Sequence, residues 1–121
     1  MATKRVTIYH NPHCNSSKHA VRIAEELGAE AEIVIYSKTP PDRETLAAII
    51  AKLEDPPTDL VRRDANFQKL GLGDADVATV DQVVEVLLQH KQLMQRPLVV
   101  TKDKAIIGRA KERVAELLGS L

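Results

Sequence analysis

The chain has 121 residues, enough for one domain with a buried core. Its 17 basic and 17 acidic residues balance, so overall charge gives no reason to expect nucleic acid or an anionic membrane as a partner. It shows no apolar run of signal-peptide or membrane-spanning length, and its single cysteine excludes an internal disulfide. We therefore expect a cytoplasmic protein with a single domain over residues 1–121.

The first half of the chain alternates strand and helix patterns. Residues 6–9 form a short β-branched and aromatic run that predicts a strand, and the turn signal HNP follows. A helix is predicted next, with Ser16 and Ser17 as candidate caps and Gly28 as its end. Residues 31–37 predict a second strand. The apolar stripe of the first helix is Ala20, Ile23, Ala24 and Leu27.

A second helix is predicted to begin at Pro41 and Asp42, and irregular chain with one-turn helices follows it. Residues 81–90 predict another helix. The segment RPLVVTKDKAIIGRA predicts two strands, Leu98–Val100 and Ala105–Ile107, and residues 111–118 predict a last helix. The inward-facing positions of the helices after the second strand are Leu46, Ile49, Ile50, Leu53, Val83, Val84, Leu87, Leu88, Val114, Leu117 and Leu118.

This order of elements predicts the fold class. The first half of the chain has the order strand, helix, strand, helix. A helical segment follows, and the second half has the order helix, strand, strand, helix. This order is typical of an α/β protein with a thioredoxin-like fold. We expect a mixed four-stranded sheet with a helical insertion between its two halves. The helices have apolar stripes that one core can satisfy, so a monomer is expected.

The one cysteine, Cys14, lies in the predicted turn between the first strand and the first helix. A structural cysteine is usually buried among apolar residues, whereas this one has polar neighbours. At a helix N-terminus the backbone N–H groups and the helix dipole favour a thiolate, which is an effective nucleophile. His10, His13 and Lys18 add candidate positive charge. The histidines and Cys14 lack CxxC and HExxH spacing, so no metal site is expected.

Three arginines are expected near this thiol. Arg96 precedes the third strand and Arg109 follows the fourth, at the end of a thioredoxin-like sheet where the loop with Cys14 also lies. The Arg96–Pro97 bond is predicted to be cis. Arg62 is the third arginine. Guanidinium groups bind oxyanions through several donors, so the combination predicts a site for a tetrahedral oxyanion with an electrophilic centre.

The segments TIYHNPHCNSSK, LVRRD, LLQHKQLMQRPLVV and IIGRAKE together resemble the glutaredoxin-dependent arsenate reductase family (ArsC), which also includes Spx-type regulators and YfgD-like proteins. The resemblance implies that Cys14 is the nucleophile and that Arg62, Arg96 and Arg109 bind the substrate. It further implies supporting roles for His10 and Ser17. Arg63 is a competing candidate for the role of Arg62.

The resemblance implies that the Cys14 thiolate attacks arsenate, that glutathione then releases arsenite and leaves a mixed disulfide, and that glutaredoxin resolves it. No bound cofactor is expected, since glutathione serves as co-substrate. Family reductases commonly have an arginine where this chain has Lys18, which keeps the charge but not the two-pronged geometry.

Two other functions remain open. One is an Spx-like regulator that binds RNA polymerase, although Ser17 stands where those regulators usually carry their second cysteine. The other is a related glutathione-dependent thiol enzyme that acts on another substrate. The phosphatase-like class of arsenate reductases is disfavoured because it requires CxxxxxR, and Ala20 occupies the arginine position.

Overall fold

The computed structural model describes residues 5–120, apart from the Lys111 side chain, so residues 1–4 and 121 of the predicted domain lie outside the described part. The strands are β1 (Arg5–His10), β2 (Glu30–Ile35), β3 (Leu98–Val100) and β4 (Ala105–Ile107). The α-helices are α1 (Asn15–Glu26), α2 (Arg43–Ala51), α3 (Ala65–Lys69), α4 (Val80–Gln89) and α5 (Lys111–Gly119). Short 3-10 helices occupy Pro57–Leu60, Asp74–Val77 and Lys91–Leu93.

The strands form one mixed sheet in the order β2-β1-β3-β4. β2 runs parallel to β1, whereas β3 is antiparallel to both β1 and β4. The last residues of β1, β2 and β4 and the first residue of β3 therefore lie at the same end of the sheet. This topology confirms the predicted thioredoxin-like fold, and the segment from Pro57–Leu60 to Asp74–Val77 is the predicted helical insertion.

Two apolar layers cover the sheet, because alternate strand residues face opposite sides. Val6 and Ile8 of β1 pack with α1 and α5, whereas Tyr9 packs with α2, α4 and the insertion. The fully buried side chains include Ile8, Leu46, Leu60, Leu93, Leu98, Val99, Val114 and Leu118. A sheet with a helical layer on each face holds the loops at its ends in fixed positions.

The start of α1 differs from the prediction. Cys14 is the N-cap residue, and Ser16 and Ser17 lie inside the first turn, so neither serine caps the helix. The predicted end is correct, since Leu27 is the C-cap and Gly28 adopts a φ of 70°, which favours glycine. Leu27 itself is half-exposed and does not complete the apolar stripe.

The other boundaries are close to the predictions. Asp42 caps α2 by accepting a hydrogen bond from the Thr45 N–H at 2.8 Å. β2 ends at Ile35, before the predicted Ser37. Leu53 follows α2 and pairs instead with Ala105 of β4. β3 and β4 have the predicted bounds.

Candidate active site

The loop between β1 and α1 is held by its own hydrogen bonds. The Asn11 side-chain oxygen accepts from the His13 N–H at 2.9 Å, and the Asn11 carbonyl accepts from the Cys14 N–H at 3.0 Å. The Ser17 hydroxyl oxygen, which is fully buried, accepts from the Asn11 N–H at 3.3 Å. These contacts fix Cys14 at the N-terminus of α1, where the free N–H groups of the first turn face its sulfur.

The surroundings of Cys14 favour the thiolate. Burial acts to raise the pKa of the thiol, but hydrogen bonds from the backbone of Ser17 and Ser16 and from the Ser17 side chain outweigh that effect. The positive charge of Arg109 lowers the pKa further. The net pKa of Cys14 therefore lies below its ordinary value, and the half-buried side chain retains some exposure to solvent.

His10 departs from the prediction that it adds positive charge near the thiol. Burial is the main cause that lowers the pKa of His10, and the charge of Lys18 lowers it further. The lowered pKa favours the neutral imidazole over the positive charge that the sequence suggested. Lys18 and His13 are exposed, and Arg109 is the cation whose charge acts on Cys14 within the described chain.

The structure brings Arg96 and Arg109 to the end of the sheet that carries Cys14. Arg96 directly precedes β3 and its bond to Pro97 is cis, as predicted. Arg109 follows β4, and its Nη1 donates to the Arg96 carbonyl at 3.4 Å. The Arg96 Nη1 donates to the Gln92 carbonyl at 3.4 Å. The two arginines flank the β3–β4 hairpin, and the antiparallel pairing of these strands brings them together.

Arg62 reaches the same region through the helical insertion. Its N–H donates to the Leu93 carbonyl at 2.7 Å, and the Gln95 N–H donates to the Leu60 carbonyl at 2.8 Å. This short bridge places Arg62 beside the segment that leads into β3. The result is a cavity of about 240 Å³, which we call the arginine cavity, lined by Arg62, Arg63, Asp64, Gln95 and Arg109.

Arg62 and Arg63 are adjacent in sequence but differ in their contacts. The Arg63 guanidinium donates to the carbonyls of Thr58 and Val61 at 2.5 and 2.6 Å, and it also lies 5.5 Å from the Phe67 ring centroid. Most of its donors are thereby used within the insertion. Arg62 has a looser contact, with its Nε 3.8 Å from an Asp64 carboxylate oxygen. Arg62 is therefore the better candidate to bind a ligand.

Sequence reasoning missed several residues that shape this site. Asp55 accepts from the Ile107 N–H at 2.9 Å and from Arg113 at 2.7 Å, which fixes the end of β4 before Arg109. Gly108 is required there because a Cβ would lie 2.8 Å from Val114 and 3.1 Å from Pro97. Asp64 lies in the arginine cavity. The only sequence signals were the adjacency of Gly108 to Arg109 and of Asp64 to the arginine pair.

Neither a metal centre nor a membrane segment stands out in the part of the chain that the structure describes. Residues 5–120 contain no group of three or more His, Cys, Asp or Glu side chains arranged to hold a metal ion. Within the same residues, no helix is both long and apolar enough to span a bilayer.

The comparisons with known proteins agree with the fold. The ArsC family matches residues 9–117. An Escherichia coli arsenate reductase is 36% identical over 114 residues, which cover 93% of this chain and 80% of that protein. The uncharacterised Escherichia coli protein YfgD is 35% identical over 119 residues, 97% of this chain and 99% of that protein. A solved arsenate reductase from Vibrio cholerae, 29% identical, covers 95% of this chain and 98% of its own with a TM-score of 0.84. The chain belongs to the ArsC family.

Proposed function

We propose that this protein reduces arsenate to arsenite with electrons from glutathione, and that glutaredoxin regenerates it. The observation that carries the proposal is the position of Cys14, the only cysteine of the chain, at the N-terminus of α1 with its pKa lowered by local hydrogen bonds and by Arg109. Relatives named arsenate reductases, at about one-third identity over most of the chain, support the choice of substrate.

In the first step of the proposed reaction, the guanidinium groups of Arg62, Arg96 and Arg109 bind the oxyanion and offset its negative charge. The Cys14 thiolate attacks arsenic and forms an S–As bond, and one oxygen leaves as hydroxide, which takes a proton from solvent. Arsenic remains in the +5 state at this stage. The Ser17 hydroxyl steadies the thiolate before attack, and His10 and Lys18 have supporting positions beside the loop.

The second step is the reduction. The glutathione thiolate attacks the Cys14 sulfur, an S–S bond forms, and the electron pair of the S–As bond leaves with arsenic as arsenite. Cys14 and glutathione each supply one electron. A glutaredoxin thiolate then attacks the glutathione sulfur of the mixed disulfide and releases the Cys14 thiolate. A single cysteine suffices because both resolving thiols come from other molecules.

This chemistry needs a compartment where glutathione is abundant and reduced, so we propose that the protein acts in the cytoplasm. It needs no second copy of the chain, and a monomer remains our expectation. The same chemistry gives no role to nucleic acid, a membrane or a bound cofactor.

The test is a steady-state assay of arsenite formation with glutathione, glutaredoxin and NADPH-coupled glutathione reductase. We expect arsenite only when the protein, glutathione and glutaredoxin are all present. Arsenite at the background rate in the complete mixture would overturn the proposal. If arsenite forms with a thioredoxin system in place of glutaredoxin, the electron donor is different. That result would contradict only the glutathione step of the proposal.

A further inference from the structure

The arginine cavity contains one carboxylate, that of Asp64, among three guanidinium groups. A carboxylate in a site for anions is costly, because it repels the negative charge that the arginines attract. It is not needed to neutralise Arg63, whose Nε lies 3.4 Å from an Asp74 carboxylate oxygen. Asp64 also caps α3 through one oxygen, which leaves the other oxygen for a second role as a negatively charged acceptor that helps to bind the ligand.

The two oxygens of Asp64 have different surroundings. Oδ1 accepts a hydrogen bond from the Phe67 N–H at 3.1 Å, so Asp64 caps the N-terminus of α3. This bond holds the side chain in one orientation. Oδ2 lies 3.8 Å from the Arg62 Nε, an ion-pair contact that is longer than a hydrogen bond. The side chain is 27% exposed and lines the arginine cavity, so a ligand that enters beside Arg62 can reach it.

An ionised carboxylate accepts hydrogen bonds and donates none. An oxyanion that carries a proton, such as hydrogen arsenate or hydrogen phosphate, can donate that proton to Oδ2 while its other oxygens bind the arginines. Sulfate has no proton to donate near neutral pH, so its oxygens would meet Oδ2 with unrelieved repulsion. The same side chain therefore favours one class of tetrahedral anion and opposes the other.

We propose that Asp64 selects for tetrahedral oxyanions that carry a proton, and that it rejects fully ionised anions of the same shape. The inference rests on the proposed function for the location of the anion site. It makes Asp64 a determinant of substrate specificity that contacts the substrate hydroxyl beside Arg62. Arsenate would thus be bound in the presence of excess sulfate, whereas phosphate would compete.

The test measures how anions protect Cys14 from alkylation by iodoacetamide. This reagent is uncharged, and the measurement does not depend on turnover of a substrate. It is done above neutral pH, where hydrogen phosphate and sulfate carry the same charge and differ in the proton. For the wild-type protein we expect hydrogen phosphate to protect at a concentration at least about tenfold lower than sulfate. Equal protection by the two anions would overturn the proposal, as would protection by neither.

The decisive variant is Asp64→Asn, which keeps a good N-cap residue but removes the charge. We expect the phosphate-to-sulfate ratio to fall below about threefold, because the amide can donate to sulfate. If Asp64 only positions Arg62, the variant should weaken the binding of both anions alike and leave the phosphate-to-sulfate ratio unchanged. That result would contradict the proposal. Asp64→Ser, which also caps, repeats the test if the first variant does not fold.

Asp42→Asn is the matched control, because Asp42 caps α2 through the same kind of contact but lies on an exposed helix start outside the arginine cavity. We expect its phosphate-to-sulfate ratio to match that of the wild type. If Asp42→Asn changes this ratio as much as Asp64→Asn does, the result counts against the inference. Discrimination without arsenite formation would reject the proposed reaction but keep the role of Asp64. Arsenite formation without discrimination between the two anions would reject the role of Asp64 but keep the proposed reaction.

Discussion

The two ends of the sheet both carry cavities lined by charged residues, but they differ in how those charges are used. At the end away from Cys14, a cavity of about 530 Å³ is lined by Arg5, Glu30, Glu32, Lys52 and other residues. There Arg5 lies 3.7 Å from Glu30, and Lys52 donates to the Thr101 carbonyl at 2.7 Å. The arginine cavity is less than half as large, at about 240 Å³, and it holds three cations to one anion.

The two ends differ in the balance of charge and not in volume, because a further cavity of about 550 Å³ shares Arg63, Gln95 and Arg109 with the arginine cavity. In the larger cavity, Arg5 is paired with Glu30, and Lys52 with a backbone carbonyl. The smaller one lies between the insertion, the segment before β3 and the end of β4. Its Arg109 also acts on Cys14, whose pKa is lowered. An excess of one charge beside a nucleophile marks the site.

The largest expected effect comes from removing the nucleophile. Cys14→Ser should abolish arsenite formation, because the hydroxyl is not ionised at neutral pH and cannot supply an electron for the reduction. The measurement is the coupled arsenite assay, with circular dichroism to verify folding. A folded variant that retains more than a trace of turnover would show that the end of the sheet with Cys14 is not where reduction occurs.

The next largest effect should separate the two adjacent arginines. Arg62→Ala is expected to lower kcat/KM for arsenate by about 10- to 100-fold, through loss of charged hydrogen bonds to the oxyanion. Arg63→Ala should lower kcat/KM by less than about fivefold but the free energy of unfolding by about 1–3 kcal/mol, since its contacts are internal.

Steady-state kinetics and urea unfolding on both variants provide this test. The reverse pattern, with Arg63 governing arsenate kinetics and Arg62 governing stability, would contradict the assignment of Arg62 to the substrate.

A smaller effect concerns the thiol pKa. Because a lowered pKa shifts thiolate formation to lower pH, the alkylation rate of Cys14 should rise at lower pH than that of free cysteine. Ser17→Ala should move this rise to higher pH, since the Ser17 side chain is one of the groups that lower the pKa of Cys14. Ser16→Ala is the matched control, because Ser16 acts through its backbone only and should leave the profile in place. Identical profiles for all three proteins would refute the role of the Ser17 hydroxyl.

The smallest effect is expected at the opposite end of the sheet. Lys102→Ala removes an exposed cation from the larger cavity and should change kcat/KM for arsenate by less than about twofold. The coupled assay measures it beside Arg62→Ala. If Lys102→Ala lowers kcat/KM for arsenate as much as Arg62→Ala does, the two ends of the sheet do not differ in function.

Much of the fold could be predicted because its signals are local. Gly28 ends α1, Asp42 caps α2, and β3 and β4 have their predicted bounds, since turn residues and apolar alternation mark them directly. The cap of α1 was assigned wrongly because serine usually caps helices, whereas here Cys14 takes that position and Ser17 is buried beneath the loop.

The site was only partly predictable because several of its contacts are not local. Nothing in LVRRD indicates that Arg63 bonds to Thr58 while Arg62 faces the segment before β3, since that depends on how the insertion folds. The lowered pKa of His10 depends on its burial beside Lys18. Asp64 resembles any surface aspartate in sequence, and its place in the arginine cavity follows only from the packing of α3.

A single turnover without glutaredoxin tests directly whether arsenate is reduced at Cys14. Protein, arsenate and glutathione are mixed, arsenite is quantified, and intact mass spectrometry measures glutathione on Cys14. We predict arsenite and the Cys14–glutathione disulfide in equal amounts, each limited by the amount of protein and each absent when arsenate is omitted. Arsenite formed without the disulfide, or a disulfide that forms equally well without arsenate, would contradict reduction at Cys14.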